Sequence, residues 1–260
     1  MEFLISSISS VLSSTLVYPI DVIKTQYQVT RINQKNPSNA IQVIRHINKT
    51  QGIKGFYKGL GSNLMTYPLF WGFYFEMRKV NYQPTGYKYP DKIFMSFISG
   101  VGATTIVNPL YVMKVRIQTE ILHQRYKCNQ SRLYPILVKN IYQKEGLIGF
   151  YKGWSTTQLN NIKLGIQLPF YDYLKEKTDS TIISSMVAKL SASTVFYPFD
   201  LVRTIQRDNI HQVRVVDCLR DVYRNEGIRG WYRGVGLYNL MTGPNFIFMM
   251  YFKDLIISIR

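Results

Sequence analysis

The residues of this chain best suited to chemistry are acids and bases set three apart after a proline. Pro19-Ile20-Asp21-Val22-Ile23-Lys24, Pro109-Leu110-Tyr111-Val112-Met113-Lys114 and Pro198-Phe199-Asp200-Leu201-Val202-Arg203 share one pattern at separations of 90 and 89 residues. An acid and a base three apart lie on one helical face, so each segment end presents both signs to its neighbours. Three such ends can join in a ring of reversible salt bridges. Each proline removes a backbone donor and kinks its helix, steering the end toward the axis of a bundle. Other chemistries lack their residues. Cys128 and Cys218 lie far apart with no His or Cys at metal spacing, and His46, His123 and His211 are scattered. Neither a zinc site, a disulfide nor a catalytic thiol is indicated, and no catalytic constellation is present. No enzyme activity, cofactor or metal is expected.

A second motif follows each of the first. It runs Gln51-Gly52-Ile53-Lys54-Gly55-Phe56-Tyr57-Lys58-Gly59, then Glu145-Gly146-Leu147-Ile148-Gly149-Phe150-Tyr151-Lys152-Gly153, then Glu226-Gly227-Ile228-Arg229-Gly230-Trp231-Tyr232-Arg233-Gly234. Six matches in order at a common period make the chain three copies of one unit of roughly 90 residues. The expected divisions are 1–90, 91–178 and 179–260, packed as one structural domain. The glycine loops are either plain turns and helix caps or anion-capturing helix N-termini. They are not nucleotide loops, since no Gly-Lys-Ser/Thr follows.

These motifs must be positioned by the apolar segments between them. The first segments run about 3–24, 93–114 and 182–203, the second about 60–79, 154–175 and 235–257, each long enough at ~1.5 Å per residue to cross a bilayer core of ~30 Å. The expected fold is all-α, with six transmembrane helices in three pseudo-threefold repeats and short amphipathic loop helices. Polar residues interrupt every span, among them Ser9, Ser13, Thr104, Thr105, Asn160, Asn161, Lys163, Lys189 and Asn245. They are tolerable if one face of each helix lines water. Small residues such as Ser99, Gly102, Ala103, Ala188 and Ala192 suit close helix contact. The stretches 24–58, 114–152 and 203–233 hold 22 of the 32 basic residues against six acids, which places these loops on one side and both termini on the other. The net charge of +17 implies an anionic partner. Charge alone leaves nucleic acid, anionic lipid and acidic small molecules open. The N-terminus reads as neither signal nor transit peptide, so any organellar address is internal.

The paired motifs, repeated three times, resemble the mitochondrial carrier family over essentially the whole chain. The resemblance implies a multi-pass protein of the mitochondrial inner membrane with a central water-filled cavity and one substrate site between two alternating gates. The matrix gate would comprise Asp21, Lys24, Lys114, Asp200 and Arg203, with Asp21 meeting Lys114 and Asp200 meeting Lys24. The third pair is broken, because Tyr111 stands where an acid would face Arg203. The outer gate would use Glu76, Lys79, Asp172 and Lys175, with Glu76–Lys175 as its one full pair, since Lys253 and Ile256 depart from the pattern. The family also implies cardiolipin phosphates at Gly52, Gly59, Gly146, Gly153, Gly227 and Gly234.

Family spacing puts the substrate contacts near Leu64, or Thr66 and Tyr67 given an indel at Pro68, and at Asn160 with Asn161 and Met241 with Thr242. The Asn-Asn pair matches neither the basic pairs of keto-acid and amino-acid carriers nor the Gly-aliphatic pair of adenine nucleotide carriers. Lys163 lies three residues beyond Asn160 and Lys189 four before Ser193, so each shares a face with a cavity candidate. Together with Tyr67, Phe70 and Trp71 these lysines suit phosphate and base at once, which points to a small anionic metabolite of the nucleotide class. The alternatives are a carboxylate or phosphate carrier, or a carrier-like scaffold without transport. A nucleic-acid binder is disfavoured because the basic residues are confined to three loops. The chain is read as a monomer.

Overall fold

The computed structural model describes residues 2–30, 39–81, 89–123, 130–178, 180–211, 213–244 and 247. Among them every regular element is helical. The long helices are α1 (Glu2–Val29), α3 (Leu60–Asn81), α4 (Tyr89–His123), α6 (Trp154–Thr178) and α7 (Thr181–Asp208). Between them lie α2 (Ala40–Gln51), α5 (Gln130–Glu145), α8 (Val215–Glu226) and the single turn α9 (Ile228–Trp231). Residues 235–244 form α10, and the rest of the expected final segment, including Lys253 and Ile256, lies outside the described residues. Two of these helices, Phe94–Glu120 and Thr181–Asp208, are long and apolar enough to cross a membrane by length and composition.

The short helices are too short to stand alone, because isolated helices under about 12–15 residues are marginal. Each is held by an apolar stripe against the proline-bearing helix before it. Val43 and Ile47 of α2 pack with Tyr18 and Val22 of α1. Leu133, Leu137 and Ile141 of α5 pack with Val112 and Ile117 of α4. Val222 of α8 packs with Tyr197 and Leu201 of α7 and Tyr238 of α10. Fully burying one such side chain contributes roughly 1.5–3 kcal/mol, so these stripes outweigh intrinsic helix propensity. A fourth cluster gathers the aromatics Phe70, Tyr74 and Phe75 of α3 around Ala103 and Val107 of α4 and Ala188 of α7. Small residues admit this approach, and a Cβ on Gly102 would meet Met77 Sδ at 2.7 Å.

The helices pack in chain order, α1 on α3, α3 on α4, α4 on α6 and α6 on α7. The helices α1, α4 and α7, which carry the repeated proline motif, also touch one another. Their ends differ from the expected ones. The apolar pattern stops at Lys24, Lys114 and Arg203, whereas the helices continue to Val29, His123 and Asp208. The reason is that the added turns are polar on faces that meet neighbouring helices, so they stay helical by making bonds between elements. Gln26 Nε2 donates to Gln118 O at 3.0 Å, Gln28 Nε2 to Tyr197 Oη at 3.0 Å, and Thr119 Oγ1 to Asp208 Oδ1 at 2.6 Å.

Candidate functional site: a basic cavity above a converging helix triad

Where α1, α4 and α7 converge, the residue preceding each proline ties its helix to the following glycine loop. Tyr18 Oη donates to Lys58 O at 2.9 Å, Asn108 Nδ2 to Phe150 O at 2.9 Å, and Tyr197 Oη to Arg233 O at 2.5 Å. The first and last glycines of those loops, Gly52, Gly59, Gly146, Gly153, Gly227 and Gly234, hold positive φ, between 61° and 85°. At Gly59 and Gly234 there is also no room for a side chain, since a Cβ would stand 3.0 Å from the hydroxyl of Tyr18 or Tyr197.

The acids and bases after the prolines lie inside this convergence, buried apart from the partly exposed Arg203. Asp21 Oδ2 receives Lys114 Nζ at 2.7 Å and Gln118 Nε2 at 2.9 Å, which joins α1 to α4. Lys24 lies 3.5 Å from Asp21 of its own helix and 5.3 Å from the centre of the Tyr238 ring. Asp200 does not meet Lys24, contrary to the expected pairing. Its carboxylate receives Lys163 Nζ at 2.8 Å, Asn160 Nδ2 at 2.8 Å and the guanidinium of Arg203. The reason is reach: α6 packs along α7 and brings two donors to the carboxylate, while Lys24 stays with Asp21. The third position is rebuilt rather than empty. Tyr111 faces Arg207, whose guanidinium sits 4.7 Å from the ring centre, and Arg203 turns to Asp200. Arg207 also donates to Asn108 Oδ1 at 3.1 Å and Thr157 Oγ1 at 3.0 Å. Sequence reading missed Arg207 because it stands beyond the Pro-acid-base pattern, one helical turn after Arg203.

Above these pairs opens a cavity of about 160 Å³. Tyr67, Asn160, Asn161, Lys163, Lys189, Met241 and Thr242 line it as their spacing suggests, and Phe70, Trp71 and Tyr111 supply aromatic walls. Thr66 and Ser193 do not line it. Thr66 Oγ1 bonds back to Ser62 O at 2.5 Å, and Ser193 Oγ donates to Asn239 Oδ1 at 2.6 Å, because both face neighbouring backbone or helix rather than the axis. The lining carries six cations (Lys24, Lys114, Lys163, Lys189, Arg203, Arg207) against one acid, Asp21, while Asp200 meets Lys163 and Arg203 of that lining. Buried charge of one sign is costly unless compensated, so the surplus favours an anionic occupant. Asn160 Oδ1 and Thr242 Oγ1 are buried without a hydrogen-bond partner in the protein, and such atoms are rare unless a ligand or water uses them.

At the far end of the helices the expected outer pair is not made. Glu76 Oε2 is buried and accepts no hydrogen bond, and Lys175 Nζ lies 5.8 Å from the ring of Tyr171 on its own helix. Asp172 lies in α6 beside Tyr171, and the side chain of Lys79 falls outside the described residues.

On the loop side, Arg116 reaches Glu145 with both terminal nitrogens, at 2.6 and 2.8 Å, and Lys152 joins the same carboxylate. Arg116 also donates to Arg207 O and Asn209 O at 3.0 and 3.3 Å, and Lys152 to Asn209 O at 3.1 Å, satisfying carbonyls at the end of α7. In the third loop Arg233 pairs with Glu226 and donates to Gln28 O at the end of α1. A second cavity, of about 440 Å³, lies where the N-terminal ends of α6 and α8 approach, lined by Lys152, Gly153, His211, Arg214 and Val215 among others.

The mitochondrial carrier protein profile matches residues 1–81, 86–180 and 176–259. Among similar proteins, nicotinamide adenine dinucleotide transporter 1 of Arabidopsis thaliana chloroplasts is 30% identical over 91% of this chain and 84% of its own length. The mitochondrial transporter 2 of the same name and plant is 29% identical over 90% of this chain and 72% of its own length. The mitochondrial nicotinamide adenine dinucleotide transporter 1 of Saccharomyces cerevisiae is 27% identical over 90% and 70%. A profile that matches three times along nearly the whole length, on a helical chain whose motifs recur at the same period, places this protein in the mitochondrial carrier family.

Proposed function

We propose that the chain exchanges an anionic metabolite of the nucleotide class, in particular a pyrophosphate-bearing dinucleotide, across the mitochondrial inner membrane by alternating access. The observation that carries this reading is the central cavity, with six basic side chains and one acidic side chain beside an aromatic wall. Lys163 and Lys189 would hold phosphate oxygens, and Tyr67, Phe70 and Trp71 would stack a base. A carboxylate or inorganic phosphate would use the cations and leave the aromatic wall without a role. The relatives named as nicotinamide adenine dinucleotide transporters support the dinucleotide. The described helices, with the remainder of the last segment, would give six spans in three repeats of one domain, 1–90, 91–178 and 179–260.

Ion pairs at the loop end fit a conformation closed toward the matrix. The glycine loops and the cavity at Lys152 and Arg214 would hold cardiolipin phosphates at helix N-termini. The working unit is a monomer, since the cavity and both gates are built from one chain. The test is label exchange in proteoliposomes loaded with NAD+, AMP, 2-oxoglutarate or inorganic phosphate. NAD+ should exchange fastest, and Lys189→Ala should lose about 10- to 100-fold, because a hydrogen bond to a charged group is worth ~1.5–3 kcal/mol. Equal exchange of 2-oxoglutarate, or a wild-type rate in Lys189→Ala, would overturn the reading.

A further inference from the structure

Gln167 of α6 is fully buried, and neither its Nε2 nor its Oε1 has a hydrogen-bond partner. Among the described residues it is the one side chain whose two polar atoms are both left so. Gln26, Gln28 and Gln118 by contrast use their donors, on Gln118 O, Tyr197 Oη and Asp21 Oδ2. Other polar side chains of α6 are tied as well. Asn160 and Lys163 donate to Asp200, and Asn161 donates to Gln158 Oε1 and Thr104 Oγ1. A buried donor and acceptor without partners are each destabilising, and an apolar side chain of similar shape would remove both penalties. Packing alone gives no reason for a glutamine here. Its position supplies one. Gln167 does not itself line the cavity, but Lys163, one turn before it on the same face of α6, does. Tyr171, one turn after it, packs in the cluster that holds Phe70, and Phe70 lines the cavity. Along α6 the carboxamide is thus set between the cationic lining and the aromatic wall.

We propose that Gln167 reads the base of the substrate, pairing its Nε2–H and Oε1 with an edge that carries one acceptor beside one donor. This rests on the nucleotide-class reading above. Two parts of a nicotinamide dinucleotide carry such an edge: adenine, through N7 and its exocyclic amine, and the primary carboxamide of nicotinamide. A glutamine matches either with two hydrogen bonds. The cations of the lining hold any phosphate and cannot tell one base from another. A neutral group with one donor and one acceptor can, because a wrong edge leaves acceptor facing acceptor. In this conformation the carboxamide is closed off, so the pairing belongs to the loaded state, in which the base has parted α6 from its neighbours. The base favours that state by the interaction it gains there.

Replacing the carboxamide by an apolar group separates this role from a structural one. Gln167→Leu and, independently, Gln167→Met should raise the melting temperature of the unloaded full-length protein in detergent by about 2–8 °C, because both unpartnered groups are gone. The same variants should lower NAD+ exchange in proteoliposomes, measured well below saturation at matched incorporation, by about 5- to 50-fold. Selectivity is the decisive readout. If adenine is read, the wild type should exchange NAD+ about tenfold or more faster than the analogue with hypoxanthine in place of adenine. If the carboxamide is read, the same should hold against the analogue with nicotinic acid in place of nicotinamide, and in either case Gln167→Leu should bring the ratio to about one. A wild type that treats all three alike, a ratio unchanged in both variants, or a lower melting temperature with normal exchange would overturn the proposal. If the wild type carries no NAD+ but prefers AMP to inosine monophosphate and loses that preference in Gln167→Leu, the dinucleotide reading falls and the reading of the base by Gln167 stands.

Discussion

The second and third glycine loops carry the same acid at the same motif position and treat it in opposite ways. Burial pushes both carboxyls up. At Glu145 that push is outweighed by the hydrogen bonds and charges of Arg116 and Lys152, which hold it below the ordinary 4.5. At Glu226 burial is the larger effect, and the single partner Arg233 leaves the carboxyl above 4.5. The difference lies in one helix position: α4 supplies Arg116 on the turn after Lys114, whereas the matching turn of α7 has Ile205. The first loop carries the substitution further, with Gln51 in place of the acid. Three copies of one motif have therefore been graded from two cations, to one, to no acid at all.

Removing Arg116 should erase the difference most completely. Arg116→Gln leaves Glu145 with one cation and uncovers two carbonyls at the end of α7, a loss of about 3–5 kcal/mol for a broken buried pair. The melting temperature of the purified protein should fall by roughly 6–20 °C.

The next effect is the pH dependence of the two acids. For Glu145, with a lowered pKa, the stabilisation is full above the ordinary carboxylate value and is lost as pH falls through the lowered value. For Glu226, with a raised pKa, ionisation costs stability as pH rises from the ordinary value through the raised one. At pH 7, Glu145→Gln should therefore cost about 2–3 kcal/mol, as for hydrogen bonds to charged groups, and Glu226→Gln less than ~1 kcal/mol. Melting curves from pH 4 to 7 check this: the gap between wild type and Glu145→Gln should widen with rising pH, and that for Glu226→Gln should move toward or past zero. The smallest change is expected at the first loop, where Gln51 is exposed. Gln51→Glu should alter stability by less than ~1 kcal/mol, the range of surface pairs, which the same melting assay would register as a shift of a few degrees at most.

Much of the fold and part of the candidate site were legible in the residues. Asp21 and Lys114 could be matched because the family pattern pairs the acid two residues after one proline, Pro19, with the base five residues after the next, Pro109. Asn160, Asn161 and Thr242 could be placed at the cavity from the family's spacing, and Lys163 from its three-residue step along α6 from Asn160. Asp200 was not legible in the same way. Lys24 and Lys163 are both sound partners by charge, and only the packing of α6 against α7 chooses between them. Ser193 was misplaced because, one turn beyond Lys189 on α7, its hydroxyl is taken by Asn239 of α10. The polar extensions carrying Gln26, Gln118 and Arg207 were hidden because apolar periodicity ends before them, and their helicity depends on neighbours that a linear pattern does not reveal.

The carbonyl ends of α7 and α1 are gripped, respectively, by side chains of the second repeat and of the third. Each of these contacts is plug into socket, head to tail, so the third copy both receives a grip and gives one. Interfaces of that kind close only when the rotation per copy completes a circle. Three copies on one chain complete it. A single copy cut from the chain would keep a plug and a socket that cannot meet each other, and would be expected to join two further copies in a closed ring of three.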